Sequence, residues 1–113
     1  MTYEEIFSNV REAFENADAR NIFEHIAIQV NVTGEGEGIF YIEAAQRAIT
    51  VEPYDYYDRD AIVTLSSDTV LALAKGKIKY KEAADQGLLK IDGDIEKVRK
   101  IGAVKPRRRK KKS

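Results

Sequence analysis

The sequence predicts an α+β domain in which a five-stranded, mostly antiparallel sheet is covered on one face by short helices. Three observations carry this prediction. Apolar residues recur with helical spacing near the N-terminus, they alternate with period two through the middle of the chain, and they then gather into short segments closed by glycine. The resulting order is α-β-β-β-β-α-α-β-α.

Thr2 followed by Glu5 is a capping-box pair, and Ile6, Phe7, Val10, Ala13, Phe14 and Ala17 then share one helical face. An amphipathic helix ending near Asp18 is expected. From Ile22 the period changes. Ile26, Ile28, Val30 and Val32 alternate with His25, Ala27, Gln29 and Asn31, which predicts a strand with an apolar face and a more polar one. Glycines at 34, 36 and 38 turn the chain, and Ile39–Ala44 and Arg47–Val51 read as two further strands with Phe40, Ile42, Ile49 and Val51 inward. The turn between them is expected near Ala45-Gln46.

Glu52 to Asp60 holds a proline, three tyrosines (Tyr54, Tyr56, Tyr57) and three aspartates, a composition that suits a connecting loop. Ala61–Leu65 resumes β-branched alternation. Ser66 or Ser67 can cap a short helix with Val70, Leu71, Leu73 and Ala74 inward, and Gly76 stands where a left-handed C-terminal residue belongs. A second short helix, roughly Tyr80 to Gln86, stops in the same way at Gly87. Leu88–Asp92 is the fifth strand, Gly93 a turn, and Asp94 the cap of a final helix bearing Ile95, Val98 and Ile101.

The 113 residues, 43% of them apolar, suit a single domain over 1–104 with a separate basic tail over 105–113. The absence of cysteine removes thiol catalysis, cysteine-bound zinc and iron–sulfur clusters. The first residues lack both the basic and the apolar regions of a secretory signal, and no apolar run approaches the roughly 20 residues of a membrane span. A cytoplasmic protein is expected. Nineteen basic residues balance nineteen acidic ones, but unevenly along the chain. Residues 1–74 carry 14 acids and 4 bases, 75–104 carry 8 bases and 5 acids, and the tail adds seven positive charges and no negative one. The body is therefore acidic and the tail is a basic arm.

No motif in the sequence makes a catalytic site. His25 is the only histidine, and Ser66 and Ser67 are better used as helix caps than as its nucleophilic partners. Asp55, Asp58 and Asp60 lack the turn glycine and closing glutamate of a calcium loop and read as solvated loop acids. Neither metal nor cofactor is expected. The glycines at 34, 36 and 38 miss the dinucleotide-binding spacing and precede a strand, so they serve a turn. The tail residues Lys105, Arg107, Arg108, Arg109, Lys110, Lys111 and Lys112 have three readings: a solvated end, a weak contact with an anionic membrane surface, or a phosphate-binding arm. Nucleic acid is the least favoured, because no aromatic residue interleaves the charges and the body is acidic.

The segment from Asp60 to Asp94, DAIVTLSSDTVLALAKGKIKYKEAADQGLLKIDGD, carries a family resemblance. Thr64-Leu65 ends a strand, Asp68 lies in the cap, and Leu71-Ala72-Leu73 is followed by Gly76-Lys77. Ala83, Gln86-Gly87, Leu89-Lys90-Ile91 and Gly93 complete the pattern. In this order of features the chain resembles the sterol carrier protein two family of lipid-binding domains, over roughly residues 4 to 101. The resemblance implies helices over one sheet face and, between them, an apolar tunnel for a fatty acyl chain, acyl-CoA, sterol or prenyl-type lipid. Periodicity alone favours a filled core, since native cores rarely keep voids larger than a water molecule, and only the family tie reverses that. The expected walls are Ile26, Ile28, Val30, Phe40, Ile42, Val63 and Leu65 from strands, with Leu71, Leu73, Ala83, Ala84, Val98 and Ile101 from helices. The chain ends in Lys-Lys-Lys-Ser and lacks the peroxisomal signal of many eukaryotic relatives. The function implied is non-catalytic binding and carriage of a hydrophobic ligand. The alternative is an accessory module that presents a lipid-like substrate to a partner enzyme, for which Tyr54, Tyr56 and Tyr57 are the candidate contact residues.

Overall fold

The computed structural model describes residues 2–15, 17–55 and 57–104, so Tyr56 and the basic tail lie outside the described residues. Its elements are α1 (Tyr3–Glu15), β1 (Ile26–Thr33), β2 (Gly38–Ala45), β3 (Ala48–Glu52), β4 (Ala61–Ser66), α2 (Ser67–Ala74), α3 (Tyr80–Asp85), β5 (Lys90–Gly93) and α4 (Ile95–Gly102). None of the described helices is long and apolar enough to cross a membrane.

The capping box forms as the sequence predicts. The Glu5 N–H donates to Thr2 Oγ1 at 3.2 Å and the Thr2 N–H to Glu5 Oε1 at 2.9 Å. Ala17 and Asp18, expected at the end of the helix, lie beyond it: Asp18 turns its carboxylate onto the Arg20 N–H at 3.0 Å, which favours a turn over another helical residue. Tyr3 fastens the other end of α1 to the sheet: its hydroxyl donates to the Ile39 carbonyl at 2.6 Å, and its ring lies where a side chain at Gly38 would be. Phe7 stacks on Tyr3 and meets Phe40 edge-on, which ties α1 to the core.

The sheet runs β3-β2-β1-β4-β5, with β1 and β4 parallel and the other neighbours antiparallel. Val51 on β3 and Ala61 on β4 both stand level with Ile28 of β1, so the connection 53–60 has to pass β2 and β1 to reach β4. Burial raises the Tyr41 pKa, with smaller contributions from the Glu52 and Glu43 carboxylates and, least, from Tyr54 of this connection. This passage accounts for a departure from the expected pattern. Ala27 and Gln29, expected on a polar face, are buried, because β1 is central in the sheet and its outer side lies under neighbouring chain. Gln29 Nε2 donates to Asn31 Oδ1 at 3.0 Å.

The β2–β3 turn is Gln46-Arg47, one residue beyond the expected place. Both residues have positive φ, 53° and 63°, the backbone of a tight hairpin whose twist matches its strands. Two-residue hairpins of this kind favour Asn-Gly, and without that signal the sequence does not reveal the register. β5 starts at Lys90, later than expected, because the Leu88 N–H is used to close α3 on the Ala83 carbonyl at 2.9 Å.

Ser66 caps α2 by accepting the Thr69 N–H at 3.2 Å, and Asp94 caps α4 by accepting the Lys97 N–H at 3.1 Å. Both α2 and α3 end in the same way. Lys77 donates to the Ala72 carbonyl and Gly76 to that of Leu73, with φ of +72° at Gly76; Leu88 and Gly87 repeat the pattern after α3. Ile95, expected inward, is exposed, since α4 reaches the core only from Val98 onward. The helices cover the face bearing Ile28, Val30, Phe40, Ile42, Val63 and Leu65, and the core lies between.

Candidate functional site

Strand alternation aims Ile28 and Val30 of β1, Phe40 and Ile42 of β2, and Val63 and Leu65 of β4 at the helices. The helices do not press down onto them everywhere. A cleft of about 960 Å³ remains, at the upper end of the range for small-molecule pockets. Val10 and Phe14 of α1 close one side, Val70, Leu73 and Ala74 of α2 and Tyr80 and Ala84 of α3 another, and Val98 and Ile101 of α4 a third. Leu89 and Val104 complete the apolar wall, while Lys79, Lys81 and Arg99 bring the only charges to it among the described residues.

The wall therefore includes the expected Ile28, Val30, Phe40, Ile42, Val63, Leu65, Leu73, Ala84, Val98 and Ile101. Ile26, Leu71 and Ala83 stand outside it. Ile26 is fully buried at the start of β1. Leu71 packs half-buried against the core, because a residue one position from Val70 points about 100° away on a helix. The same rotation separates the two alanines of α3. Tyr80 and Ala84, four residues apart, share the side turned to the cleft, whereas Ala83 is completely buried. Periodicity marked Val10, Phe14, Val70 and Ala74 as inward without assigning them to a ligand wall. Lys79, Lys81 and Arg99 carry no apolar signal, so no pattern in the sequence places them there.

Among the described residues, the titratable side chains on the wall are Tyr80, Lys79, Lys81 and Arg99. Burial raises the Tyr80 phenol pKa, against a smaller lowering by Arg99, so this hydroxyl stays protonated. Arg99 is held by Glu96 through contacts of 3.2 and 2.8 Å, which raise its own pKa. His25 contacts Glu43 at 2.6 Å in an exposed position. Ser66 is level with Thr33 at the far end of β1, about 26 Å along the strand from His25, so the two form no nucleophile–base pair. Among the described residues no group of three or more His, Cys, Asp or Glu could hold a metal ion. Asp60, expected as a solvated loop acid, is instead partly buried and bonded to Ala27 and Lys97.

The family model described as the SCP-2 sterol transfer family matches residues 4–104. The chain belongs to the SCP-2 sterol transfer family. Solved structures share the SCP-2 fold at low identity. The solution structure of palmitated SCP2L2 from Aedes aegypti is 17% identical, with a TM-score of 0.68 over 90% of this chain and 92% of that one. UbiJ-SCP2, described as a ubiquinone synthesis protein, is 18% identical with a TM-score of 0.64, over 89% of this chain and 90% of that one. The sec-alkylsulfatase Pisa1 from Pseudomonas sp. is 17% identical with a TM-score of 0.69; the match covers 95% of this chain but 17% of the sulfatase, where an SCP-2-like fold is one part of a much longer protein. A comparison with curated proteins finds no match.

Proposed function

We propose that this SCP-2 domain binds and carries, without catalysis, a ligand with an extended apolar part: a fatty acyl chain, acyl-CoA, sterol or prenyl-type lipid. The observation that carries the proposal is the cleft of about 960 Å³ walled by aliphatic and aromatic side chains from the strands and all four helices. A close-packed core leaves few voids larger than a water molecule, so this space is room for a guest. Membership of the SCP-2 family supports the same reading, as does a structural neighbour described as palmitated. Burial of each methylene contributes about 0.8 kcal/mol, so a long chain can be held with few polar contacts. Specificity is then set by length and girth more than by hydrogen bonding.

A second reading is an accessory role, in which the domain presents a lipid-like substrate to an enzyme. The exposed Tyr54 and Tyr57 favour it, and a neighbour described as a ubiquinone synthesis protein supplies a parallel. The deciding experiment is purification of the full chain without detergent, extraction with organic solvent and mass spectrometry of what is released. A near-stoichiometric acyl, prenyl or sterol species is expected. Absence of any such species, with no rise in melting temperature on adding palmitate, would overturn the carrier reading.

A further inference from the structure

Lys75, Lys77, Lys79 and Lys81 occupy alternate positions from the end of α2 to the first turn of α3, and all four are exposed. Among the described residues none of the four ammonium groups has an ion-pair partner, although the body is acidic; the Lys79 backbone N–H donates to Glu82 Oε1 at 3.0 Å. Other cations have such a partner. Arg11 pairs with Glu52, Arg20 with Asp18, Lys97 with Asp60, Arg99 with Glu96 and Lys100 with Glu24. Arg47, whose guanidinium lies over the Phe23 ring, and Lys90 also have no ion pair among the described residues, so four of six such cations are gathered in one short stretch.

That stretch lies at the cleft. Lys79 and Lys81 are on its wall, and Lys75 and Lys77 flank Gly76, which is on it as well. Leu88, 40% exposed, adds apolar surface next to wall residue Leu89. In the sequence, Val104, also a wall residue, is followed by the seven further cations of residues 105–112. A partner suited to this arrangement carries negative charge around an apolar interior.

We propose that the row Lys75, Lys77, Lys79 and Lys81 docks the protein on an anionic lipid bilayer with the cleft opening toward the membrane. An acidic protein would answer the charge alone. A bilayer answers both halves of the arrangement, since its headgroups neutralise the lysines and its acyl region supplies the occupant of the cleft. This inference rests on the carrier reading for its purpose, but its test is separate.

The experiment uses the full chain with vesicles of phosphatidylcholine alone and of phosphatidylcholine mixed with phosphatidylserine. The parent should bind the mixed vesicles, lose that binding as salt rises, and ignore the neutral ones. The double variant Lys75→Gln/Lys77→Gln alters exposed residues outside the cleft wall. It should bind mixed vesicles about 25-fold more weakly, at roughly fivefold per lysine, and take up a fluorescent fatty acid from solution as the parent does. Unchanged vesicle binding by the double variant would overturn the proposal and assign recognition to the tail. A parent that takes up fatty acid but ignores mixed vesicles would overturn the docking surface while leaving the carrier function intact. A parent whose vesicle binding falls in the double variant, but which takes up no fatty acid, would support the docking surface and overturn the carrier function.

Discussion

Lys97 places its ammonium 3.0 Å from one oxygen of Asp60, while the other oxygen accepts the Ala27 N–H at 2.8 Å. One carboxylate therefore joins α4, β1 and the entrance to β4. Its backbone continues the junction, donating to the Ala27 carbonyl at 2.7 Å and accepting from Asp94 at 3.0 Å. Burial alone would raise the Asp60 pKa. The Ala27 hydrogen bond and the Lys97 charge outweigh it and hold the carboxyl below its ordinary value.

A carboxylate with a depressed folded-state pKa stabilises the fold above its unfolded pKa of about 3.9, and that contribution is lost as pH falls toward the folded value. Urea unfolding followed from neutral pH downward should show stability decreasing below about pH 4. In Asp60→Asn this acid-dependent loss should be smaller. Asp60→Ala should cost about 1–3 kcal/mol at neutral pH, because the buried Ala27 N–H loses its acceptor. An Asp60→Asn acid limb identical to the parent's would show that the pair contributes nothing.

Gly93 stands opposite Ala61 in the β4–β5 ladder with φ +126°, and an added Cβ would lie 2.6 Å from the Asp60 carbonyl oxygen and 2.7 Å from Ala61 Cα. Both the backbone conformation and the space exclude a side chain. Gly93→Ala should destabilise by at least about 1–3 kcal/mol and speed hydrogen exchange at the β5 amides. Protection at β5 equal to the parent's would contradict this.

Gly102, in the last turn of α4, lies against the Tyr80 ring of α3, and both line the cleft. An alanine there would gain about 1 kcal/mol of helix propensity but would drive into the ring. Gly102→Ala should therefore be destabilising in the parent and neutral or stabilising in a Tyr80→Ala background. A double-mutant cycle by thermal unfolding measures the coupling, and additivity would show that the contact is not tight.

The two alanines of α3 should respond differently to bulk. Ala84→Trp places a ring in the cleft from an exposed position, so it should lower fatty acid binding at least tenfold while changing stability by about 0.5 kcal/mol or less. Ala83→Trp enters a completely buried site and should cost 1–3 kcal/mol or more. Equal stability losses in the two variants, with binding unaffected in Ala84→Trp, would reject the cleft as the binding site.

What could be read from the sequence is what depends on a few neighbouring residues. Thr2 with Glu5, Ser66 and Asp94 form the caps expected of them, and Gly76 and Gly87 close their helices, because each involves groups within a few positions of one another. The inward strand residues from Ile28 to Leu65 were equally legible, since period two is a property of the extended backbone. The junction at Asp60 was not. Its partners Ala27 and Lys97 lie 33 and 37 positions away, and nothing in a run of loop aspartates distinguishes the one that will be bonded. The burial of Gln29 was hidden for the same reason, because it depends on a crossing connection and on the place of β1 in the sheet.

The sequence by itself determined the elements, most of their ends and which side of each strand is apolar. Only the tertiary structure decided that this apolar side borders a cleft of about 960 Å³, with Ala84 open to it, Ala83 shut away and lysines at its rim. The physical reason is that a filled core and an open cleft use the same side chains, and the difference between them is the distance at which the helices settle above the sheet.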